Sequence, residues 1–385
     1  MAAAPSRRLR LGMVGGGQGA FIGAVHRMAA RLDDRYELVA GCLSSDPERA
    51  HASATELHIA PDRSYAEFAA MARTEAARED GIDVVAVVTP NHMHHAPAKA
   101  FLDAGINVIC DKPLTSTSED ARDLAASVAR SGVVFALTHN YTGYPMVRQA
   151  RAMVAAGELG ALRLVQVEYA QDWLSTRVED SGNKQAAWRT DPARSGAAGA
   201  VGDIGSHAFN LAEFVAGAEI EQVAAELSSF VAGRALDDNG QMLLRLAGGA
   251  RGGLWCSQVA AGNENALRLR VYGAKAGLDW SQDNCNALLL TPYGEPPRLI
   301  RRNGAGSLPV AARASRVPAG HPEGYLEAFA QLYCDIAEQV TARVENRAPD
   351  PASLLVPGIE AGLRGMRFIT AAVASSRADA AWTAL

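Results

Sequence analysis

A chain of 385 residues exceeds what one hydrophobic core usually serves, and a domain size of about 150 residues predicts two units. Hydrophobic residues make up 48% of the chain and charged residues 21%, which is typical of a globular protein and excludes a largely disordered one. The formal net charge of -5 contains no long run of one sign, so the composition disfavours nucleic-acid binding.

Cysteine usage and the opening segment bear on the compartment. The five cysteines are odd in number and widely spaced, which favours a reducing cytoplasm over a disulfide framework. The opening MAAAPSRRLR has no apolar stretch before its arginines, and no later run approaches the roughly 18 apolar residues of a membrane span. We therefore expect a cytoplasmic protein that does not insert into membranes.

Short β-rich runs alternate with amphipathic stretches from Leu9 to about Asn140. This alternation predicts βαβ units and an α/β domain with a doubly wound parallel sheet over residues 1–140. The strand-like runs are LRLGMVGG, YELVAGCL, IDVVAVVTP, INVICDKP and VVFALTHN. After the first run, a sheet-facing helix face is predicted by the apolar residues at helical spacing, namely Phe21, Ile22, Val25, Met28, Ala29 and Leu32.

Consecutive strand-like runs replace this alternation in the rest of the chain. LRLVQVEYA follows the helical segment RQARAMVAAGELG, and further runs lie near residues 220–231, 241–247, 253–260 and 266–272. They predict an α+β domain over residues 141–385 with a large, mainly antiparallel open sheet. Helical stretches near 322–346 and 353–375 should pack on this sheet or return to the first domain. Residues 292–321, rich in Pro, Gly and Arg, predict an exposed loop.

A glycine-rich loop, GGGQGA, joins the first strand-like run to the first helix. Strand, glycines and helix in this order are typical of dinucleotide binding, because glycine lets backbone amides approach a pyrophosphate at a helix N-terminus. A glycine cluster alone also fits a plain tight turn. The cofactor contacts predicted from this segment are Gly15, Gly17, Gln18, Ala20, Phe21 and Ile22.

The second strand-like run is followed by Ser44 and Ser45, where an acidic residue would bind the ribose hydroxyls of NAD. Two serines remove the charge that would repel a 2′-phosphate, and Arg49 is near enough in sequence to help bind one. Asp46 is a further candidate for the ribose, although its position before Pro47 favours a helix cap. The sequence leaves NAD and NADP both open.

Three further segments, taken with the glycine loop, resemble the Gfo/Idh/MocA family of glucose-fructose oxidoreductase, inositol dehydrogenase and rhizopine catabolism. The segments are Thr89-Pro90-Asn91-His92-Met93-His94-His95, Cys110-Asp111-Lys112-Pro113 and Gly199-Ala200-Val201-Gly202-Asp203-Ile204-Gly205-Ser206-His207. They are similar to the family's T-P-N-x-x-H, E-K-P and D-x-x-x-H motifs, with Asp in place of Glu in the second. The resemblance covers nearly the whole chain and implies a Rossmann domain that binds NAD or NADP.

The same resemblance implies oxidation of a ring hydroxyl of a sugar, sugar derivative or cyclitol, with Lys112 as the base. Such oxidation needs a group that accepts the hydroxyl proton while hydride leaves for the nicotinamide, whose positive charge favours a neutral lysine beside it. Asp203 and His207, four residues apart, are expected on one helix face and complete the catalytic set. A capping Asp and a surface His are the simpler interpretation of that pair. Asn210 stands where the family has a further acid.

Further contacts are implied for cofactor and substrate. For the cofactor they are Thr89, Pro90, Asn91, His94, His95, Asp111, Lys112 and Asn140. For the substrate they are Lys112, Tyr141, Trp173, Arg189, Asp203 and His207, with Trp188 nearby. Aromatic faces and arginine donors suit a polyol but are equally common in packing. The histidines near residue 92 lack accompanying carboxylates or cysteines, so no metal is expected. Gly23 and His26 keep the family's spacing after a lengthened glycine turn.

Two other functions are the alternatives to this oxidation. A glycoside hydrolase acting by transient oxidation, elimination and re-reduction would recycle its cofactor, whereas a dehydrogenase accumulates NAD(P)H. A non-catalytic sensor gives no reason for Lys112, Asp203 and His207 to occur together. The open sheet and the resemblance imply a homodimer or homotetramer.

Overall fold

The computed structural model describes residues 7–385. The expectation drawn from the opening segment MAAAPSRRLR depends partly on residues 1–6, which lie outside that range. Within the described range, no helix combines the length and apolar character needed to cross a bilayer.

Alternating strands and helices build the first part of the chain. The strands are β1 (Leu9–Gly15), β2 (Tyr36–Cys42), β3 (Val84–Val88), β4 (Asn107–Cys110) and β5 (Phe135–Leu137). The helices are α1 (Phe21–Leu32), α2 (Pro47–Glu56), α3 (Phe68–Ala77), α4 (His95–Asp103) and α5 (Ser118–Ser131). The strands form one parallel sheet in the order β2-β1-β3-β4-β5, which confirms the predicted doubly wound fold. The order reverses at β1, and ligands of such sheets bind at the strand ends beside that reversal.

A larger sheet dominates the second part of the chain. Its strands are β6 (Leu162–Ala170), β7 (Ile220–Ser228), β8 (Asn239–Leu246), β9 (Arg251–Ser257), β10 (Ala266–Gly273), β11 (Ala276–Ser281), β12 (Ala287–Pro292), β13 (Arg298–Arg301) and β14 (Thr383–Ala384). The helices are α6 (Pro145–Ala155), α7 (Lys184–Arg189), α8 (Pro192–Ser195), α9 (Ser206–Ala216), α10 (Pro309–Arg313), α11 (Tyr325–Val344) and α12 (Ile359–Arg377). The nine strands run in the order β13-β12-β11-β10-β6-β9-β8-β7-β14, with β6–β9 parallel and the other neighbours antiparallel, as predicted.

The chain divides into two compact units, and each is built from two stretches of sequence. The first unit combines the chain up to Gly143 with Tyr325–Leu363, and the second combines Tyr144–Gly324 with Arg364–Leu385. This division differs from the predicted one at residue 140, because α11 returns to pack beside α1. Phe329 and Ile336 of α11 share a buried core with Leu11 of β1.

The buried face of α1 differs from the predicted one. Val25, Ala29 and the ring of His26 are buried, whereas Phe21, Met28 and Leu32 are exposed. The predicted apolar face did not include His26, because a polar ring is rarely buried in a core without a hydrogen-bond partner. Here the ring has one in Tyr333 of α11, whose hydroxyl lies 2.8 Å from His26 Nδ1.

The segment 292–321 is exposed over more than half of its length, as predicted, but the prediction missed two short elements and several buried residues. It contains β13 and α10, and Ala311 and Ala314 are buried. Gln149 of α6 fixes it from one side by accepting from the Leu308 amide at 2.7 Å.

A buried ion pair fixes the same segment from the other side. Arg302 and Glu323 are both 2% exposed in their side chains and lie 2.7 Å apart. Arg302 also donates to Asn286 Oδ1 and to the Val317 carbonyl, each at 2.8 Å. Glu323 accepts from the Arg316 and Val317 amides. The sequence pattern missed these partners because no local periodicity records an ion pair.

We expect Glu323→Leu to destabilise the second unit by about 3 to 5 kcal/mol, because it leaves the Arg302 guanidinium buried without its counter-charge. Urea unfolding measures the loss, and hydrogen exchange should show it first in residues 303–322. Glu295→Leu, which removes the partner of the exposed Arg298, is the matched control and should cost less than about 1 kcal/mol. Equal effects of the two substitutions would contradict the proposed importance of burial.

Candidate active site

The glycine loop after β1 approaches the start of the second crossover closely. Gly15, Gly16 and Gly19 have φ angles of 79°, 72° and 79°, which side-chain-bearing residues rarely adopt. The Gly17 amide donates to the Leu43 carbonyl at 3.1 Å. A Cβ at Gly17 would lie 2.7 Å from that carbonyl oxygen, so the loop can pass only without a side chain.

The turn is longer than the usual three-glycine pattern, and Gly23 provides its close helix-to-strand contact. A Cβ on Gly23 would lie 2.3 Å from the Gly16 Cα. Arg27, one turn further along α1, donates from Nη1 to the Gly16 carbonyl at 2.6 Å. The extra residues are therefore accommodated on the outer side of the loop, where Phe21 is 67% exposed.

The start of α1 fits a dinucleotide. Its cap residue Ala20 has no side-chain cap bond, and the first turn holds no acidic residue, so the helix amides and dipole are available to an anion. An open pocket of about 330 Å³ lies beside it. The pocket is lined by Gly17, Gln18, Gly19, Ala20, Phe21, Ala24, Arg27, Ser53, Glu56 and Leu57. The Gln18 amide donates to Ser53 Oγ at 3.0 Å and its side chain to Glu56 at 2.8 Å.

The segment after β2 has the geometry of a helix start. Asp46 caps α2 by accepting from the Arg49 amide at 3.1 Å, which confirms the capping interpretation. Ser44 Oγ accepts from the Asp46 amide at 3.1 Å. Ser45 and Arg49 are exposed.

The histidines that follow β3 separate into three environments. His94 is fully buried, with Nδ1 2.8 Å from the Pro113 carbonyl oxygen and Nε2 2.8 Å from that of Thr89. His95 instead contacts Asp123 at 2.7 Å, and His92 is exposed. His94 thus ties the segment after β3 to the segment after β4. In residues 7–385 no group of three His, Cys, Asp or Glu side chains is arranged to hold a metal.

Lys112 is half-buried and lies two residues after the end of β4, which is the neighbour of β5 in the sheet. Asp111 Oδ1 accepts from Thr138 Oγ1 at 2.7 Å. Asn140 is buried, and its Nδ2 has no hydrogen-bond partner within the described residues. A buried donor of this kind at the carboxyl edge of the sheet fits a site that holds a cofactor, which would supply the acceptor. Tyr141 is also buried.

Burial sets the charge states around Lys112. Burial lowers the pKa of His139 to about 3, with the Lys112 charge adding to the effect and Asp111 opposing it. Burial likewise lowers the pKa of His94. For Asp111, burial opposes ionisation, but His26 and the Lys112 charge outweigh it and place the carboxyl pKa below its usual range. The site therefore combines neutral imidazoles with an ionised carboxylate.

The glycine-rich segment of the second unit contains a local change of helix type. Asp203 lies in a π-helical turn, Val201–Gly205, and His207 lies in α9 after it. Asp203 and His207 are thus four residues apart across a change from π to α geometry, and their expected position on one helix face stays a prediction. The alternative of a capping Asp and a surface His is wrong. Asp203 makes side-chain contacts, and His207 is 8% exposed.

Asp203 Oδ2 receives two donors from within the second unit. Arg189 Nε donates at 3.0 Å and Gln258 Nε2 at 2.9 Å. The Arg189 guanidinium lies over the Trp188 ring at 4.2 Å from its centroid and 5.9 Å from that of Trp173. Two predicted substrate residues, Trp173 and Arg189, are thus near Asp203.

A second polar chain extends from Trp173 toward Tyr169. Trp173 Nε1 donates to Gln171 at 2.9 Å, and Gln171 Nε2 donates to Asn265 Oδ1 at 2.6 Å. The Tyr169 hydroxyl donates to the same oxygen at 2.8 Å, and its ring lies 6.2 Å from the His207 ring. These amides line a surface with many donors and acceptors, which suits a ligand bearing several hydroxyls.

The residues missed by the sequence analysis are mostly uncharged or distant in sequence. Gln171, Gln258 and Asn265 carry no motif, and no local signal identifies them. Asp237 accepts from the Gly199 amide at 2.7 Å and the Val201 amide at 2.8 Å, and so holds the glycine-rich segment. The dipeptide Asp237-Asp238 before β8 is the signal that could have found it.

Comparison with known proteins gives a consistent result for both parts. Residues 9–139 match the model of the oxidoreductase family with an NAD-binding Rossmann fold, and residues 147–279 match the GFO/IDH/MocA C-terminal domain. The uncharacterized oxidoreductase YfiI of Bacillus subtilis is 33% identical, over 98% of this chain and 97% of its own length.

Two solved structures are similar over almost their full length. An oxidoreductase from Sinorhizobium meliloti is 54% identical, with a TM-score of 0.90 over 98% of this chain and 99% of its own. An inositol dehydrogenase homolog from Azotobacter vinelandii, complexed with NADH and myo-inositol, is 35% identical, with a TM-score of 0.91 over 99% of each chain.

The fold and the glycine loop define an oxidoreductase with an NAD-binding Rossmann domain. The chain belongs to the GFO/IDH/MocA family, as its sequence motifs predict.

We expect Gly17→Ala to weaken NAD binding at least about tenfold, because the new Cβ would displace the loop from Leu43 and from the pyrophosphate position. Isothermal titration calorimetry measures the Kd. Gly324→Ala is the control, since a Cβ there meets no atom within 4 Å. Unchanged affinity in Gly17→Ala would remove this loop from the cofactor site.

Proposed function

We propose that this protein oxidises a secondary ring hydroxyl of a cyclitol or sugar, with NAD as the hydride acceptor. The observation that carries the proposal is the full-length similarity to the Azotobacter vinelandii homolog that binds NADH and myo-inositol. The polar and aromatic surface around Asp203 supports the same substrate class, because a polyol needs several donors and acceptors together with an aromatic face.

The cofactor would be held by the glycine loop, the N-terminus of α1 and Asn140. The bound nicotinamide supplies the hydride acceptor. NAD is proposed over NADP because the similar solved complexes contain NAD or NADH. Ser44, Ser45 and Arg49 are the residues to test for tolerance of a 2′-phosphate. The remaining proposed contacts are Thr89, Pro90, Asn91, His94, His95 and Lys112.

Lys112 is proposed as the base that takes the hydroxyl proton. Asp203 is proposed to accept a hydrogen bond from the substrate, because Arg189 and Gln258 donate to its Oδ2 and so favour the carboxylate. His207 is proposed to hydrogen-bond the reacting oxygen or share its proton. Tyr141, Trp173 and Arg189 complete the proposed substrate contacts.

Net oxidation is favoured over the hydrolytic alternative. The relatives with named activities are dehydrogenases and reductases, including a levoglucosan dehydrogenase that is 26% identical over 73% of this chain. Net oxidation accumulates NADH in proportion to ketone, whereas cleavage of a glycoside through the same residues would release sugar without NADH.

We expect Lys112→Ala to lower kcat for NAD-dependent oxidation by about 10²- to 10⁴-fold, because the hydroxyl proton loses its acceptor. Absorbance at 340 nm with myo-inositol, other inositols and sugars measures the rate, and product analysis tests for ketone. The Kd for NAD should stay within about fivefold of the wild-type value. Lys99→Ala, on the outer part of α4, is the matched control. Full activity of Lys112→Ala would overturn the proposed base.

The open face of the nine-stranded sheet supports self-association. Five apolar side chains are between 36% and 60% exposed on that face, namely Leu164, Leu243, Tyr272, Leu289 and Leu299. The strand registers place them on one side, since Tyr272 pairs with Leu164 and Leu289 with Leu299. We propose that a second copy covers this face in a homodimer or homotetramer.

We expect Leu243→Lys to lower the assembly state, because it places a charge on the most exposed of the five apolar side chains of the proposed interface. Light scattering after size exclusion measures the mass. Leu354→Lys, at a similarly exposed leucine outside the sheet, is the control and should keep the wild-type mass. A wild-type chain that runs as a monomer would refute the proposal.

The cysteines bear on the proposed compartment. All five are free thiols, including the buried Cys110 and Cys256. Burial raises the pKa of both of these thiols, which keeps them protonated and unreactive. We propose a reducing, cytoplasmic location.

A further inference from the structure

We propose that Ser53 of α2 is a positioning residue for the cofactor, because its hydroxyl holds the lengthened glycine turn in the form that receives the NAD pyrophosphate. Glu56, at the end of α2, fastens the same turn through the side chain of Gln18. The inference rests on the proposed function, since it takes the glycine loop as the cofactor site. It concerns the affinity for NAD and is independent of which sugar or cyclitol is oxidised.

The Ser53 hydroxyl has two partners that fix its polarity. Ser53 is 1% exposed, and its Oγ donates to the Arg49 carbonyl at 2.7 Å and accepts from the Gln18 amide at 3.0 Å. A hydroxyl has one proton, and the Arg49 carbonyl can only accept it. A lone pair of Oγ therefore faces the loop, where the Gln18 amide needs an acceptor.

The place of Ser53 on α2 indicates a role outside the helix. The buried face of α2 consists of Ala50, Ser53 and Ala54. Alanine is the better helix former and buries no polar group, so a serine at this position weakens the helix unless a partner compensates. A bond to the carbonyl one turn back does not compensate, because it competes with the helix's own bonding. The Gln18 amide is the partner outside the helix.

The turn fits closely against the acceptors that hold it. The Gly17 amide donates to the Leu43 carbonyl at 3.1 Å, so two consecutive loop amides bond to protein oxygens. A Cβ at Gly17 would lie 2.8 Å from Ser53 Oγ, which leaves no room for the turn to shift toward α2. The path of the turn is thus set by the segment after β2 and by α2.

Glu56 adds a second contact to the same loop residue. Gln18 Nε2 donates to Glu56 Oε2 at 2.8 Å. Ser53 and Glu56 are three residues apart and therefore neighbours on the helix surface, so α2 binds both the backbone and the side chain of Gln18. Gln18 and Glu56 are exposed, and a hydrogen bond in water is weaker than one away from it. We therefore expect Ser53 to have the larger effect.

The position of this turn affects NAD because the turn leads directly into α1. The amide of Ala20, the cap residue of α1, donates to the Gly17 carbonyl at 3.0 Å, so a displaced turn also displaces the helix amides proposed for the pyrophosphate. A lengthened turn has more backbone freedom to lose when a ligand binds, and a turn that is already fixed loses less. Removal of the Ser53 hydroxyl should therefore weaken ligands that carry the pyrophosphate.

The test measures the Kd of NADH by its fluorescence, and the Kd of ADP-ribose and of adenosine by displacement of NADH. ADP-ribose carries the pyrophosphate without the nicotinamide, and adenosine carries neither. We expect Ser53→Ala to raise the Kd of NADH and ADP-ribose by about five- to twentyfold and that of adenosine by less than about twofold. Glu56→Ala should raise the first two by about two- to threefold, and Ser53→Thr, which keeps the hydroxyl, should stay within about threefold of the wild type.

Thr55→Ala is the matched control on the same helix. The Thr55 hydroxyl also donates to the carbonyl one turn back, that of His51, at 3.0 Å, but its side chain is exposed. The substitution removes the same kind of helix contact, and it should leave the Kd of all three ligands within about 1.5-fold of the wild type. The comparison separates the loop contact of Ser53 from a general effect on α2.

The outcomes separate this inference from the proposed function. Weakened NAD binding in Gly17→Ala beside unchanged binding of NADH in Ser53→Ala overturns the inference alone, whereas unchanged binding in Gly17→Ala removes the loop from the cofactor site. An equal loss for adenosine in Ser53→Ala overturns the inference, because it shows general damage to the domain. So does a loss in Ser53→Thr as large as that in Ser53→Ala. If Ser53→Ala does not fold, Glu56→Ala decides, and an unchanged Kd of NADH and ADP-ribose there overturns the inference.

Discussion

The parallel register of five strands is the constraint on which the first unit depends. Parallel strands end at a common edge, so segments far apart in sequence are brought to one line of the surface. The glycine loop follows β1, Ser44 follows β2, Thr89 follows β3, Lys112 follows β4 and Asn140 follows β5. The strands β3, β4 and β5 are entirely buried, which lets the edge keep its spacing while the loops between strand and helix carry the chemistry.

The second unit builds its site differently. An antiparallel sheet supports a glycine-rich segment whose backbone approaches Asp237 so closely that a Cβ at Gly199 would lie 2.1 Å from the Asp237 carbonyl oxygen. The π turn that follows places Asp203 among side chains from α7 and from the end of β9. Amide and guanidinium donors then fix one carboxylate oxygen. The site residues of this unit are oriented by side-chain hydrogen bonds, whereas those of the first unit are positioned by the ends of the strands that they follow.

Much of this organisation is predictable from sequence, because it depends on local patterns. Alternating and consecutive apolar runs predicted both sheets, and the glycine loop and the D-K-P segment marked the edge of the first one. The cap at Asp46 was predicted because its signal, Asp before Pro, is local. Periodicity failed for α1, where His26 is buried and Phe21 is exposed. His26 and Tyr333 are 307 residues apart, and no window of sequence contains both. The same reason explains why Gln258 and Asn265 were missed.

The two buried imidazoles near Lys112 also make the first unit sensitive to acid. An unfolded chain would protonate His94 and His139 near pH 6.5, whereas burial keeps both neutral in the native state, in the case of His139 to about pH 3. Between these values the unfolded state binds more protons, so stability is fully present above about pH 6.5 and declines as the pH falls. A neutral His94 donates to only one of its two carbonyl neighbours. The arrangement that keeps these imidazoles uncharged around the proposed base thus gives the first unit its full stability only in neutral and alkaline surroundings.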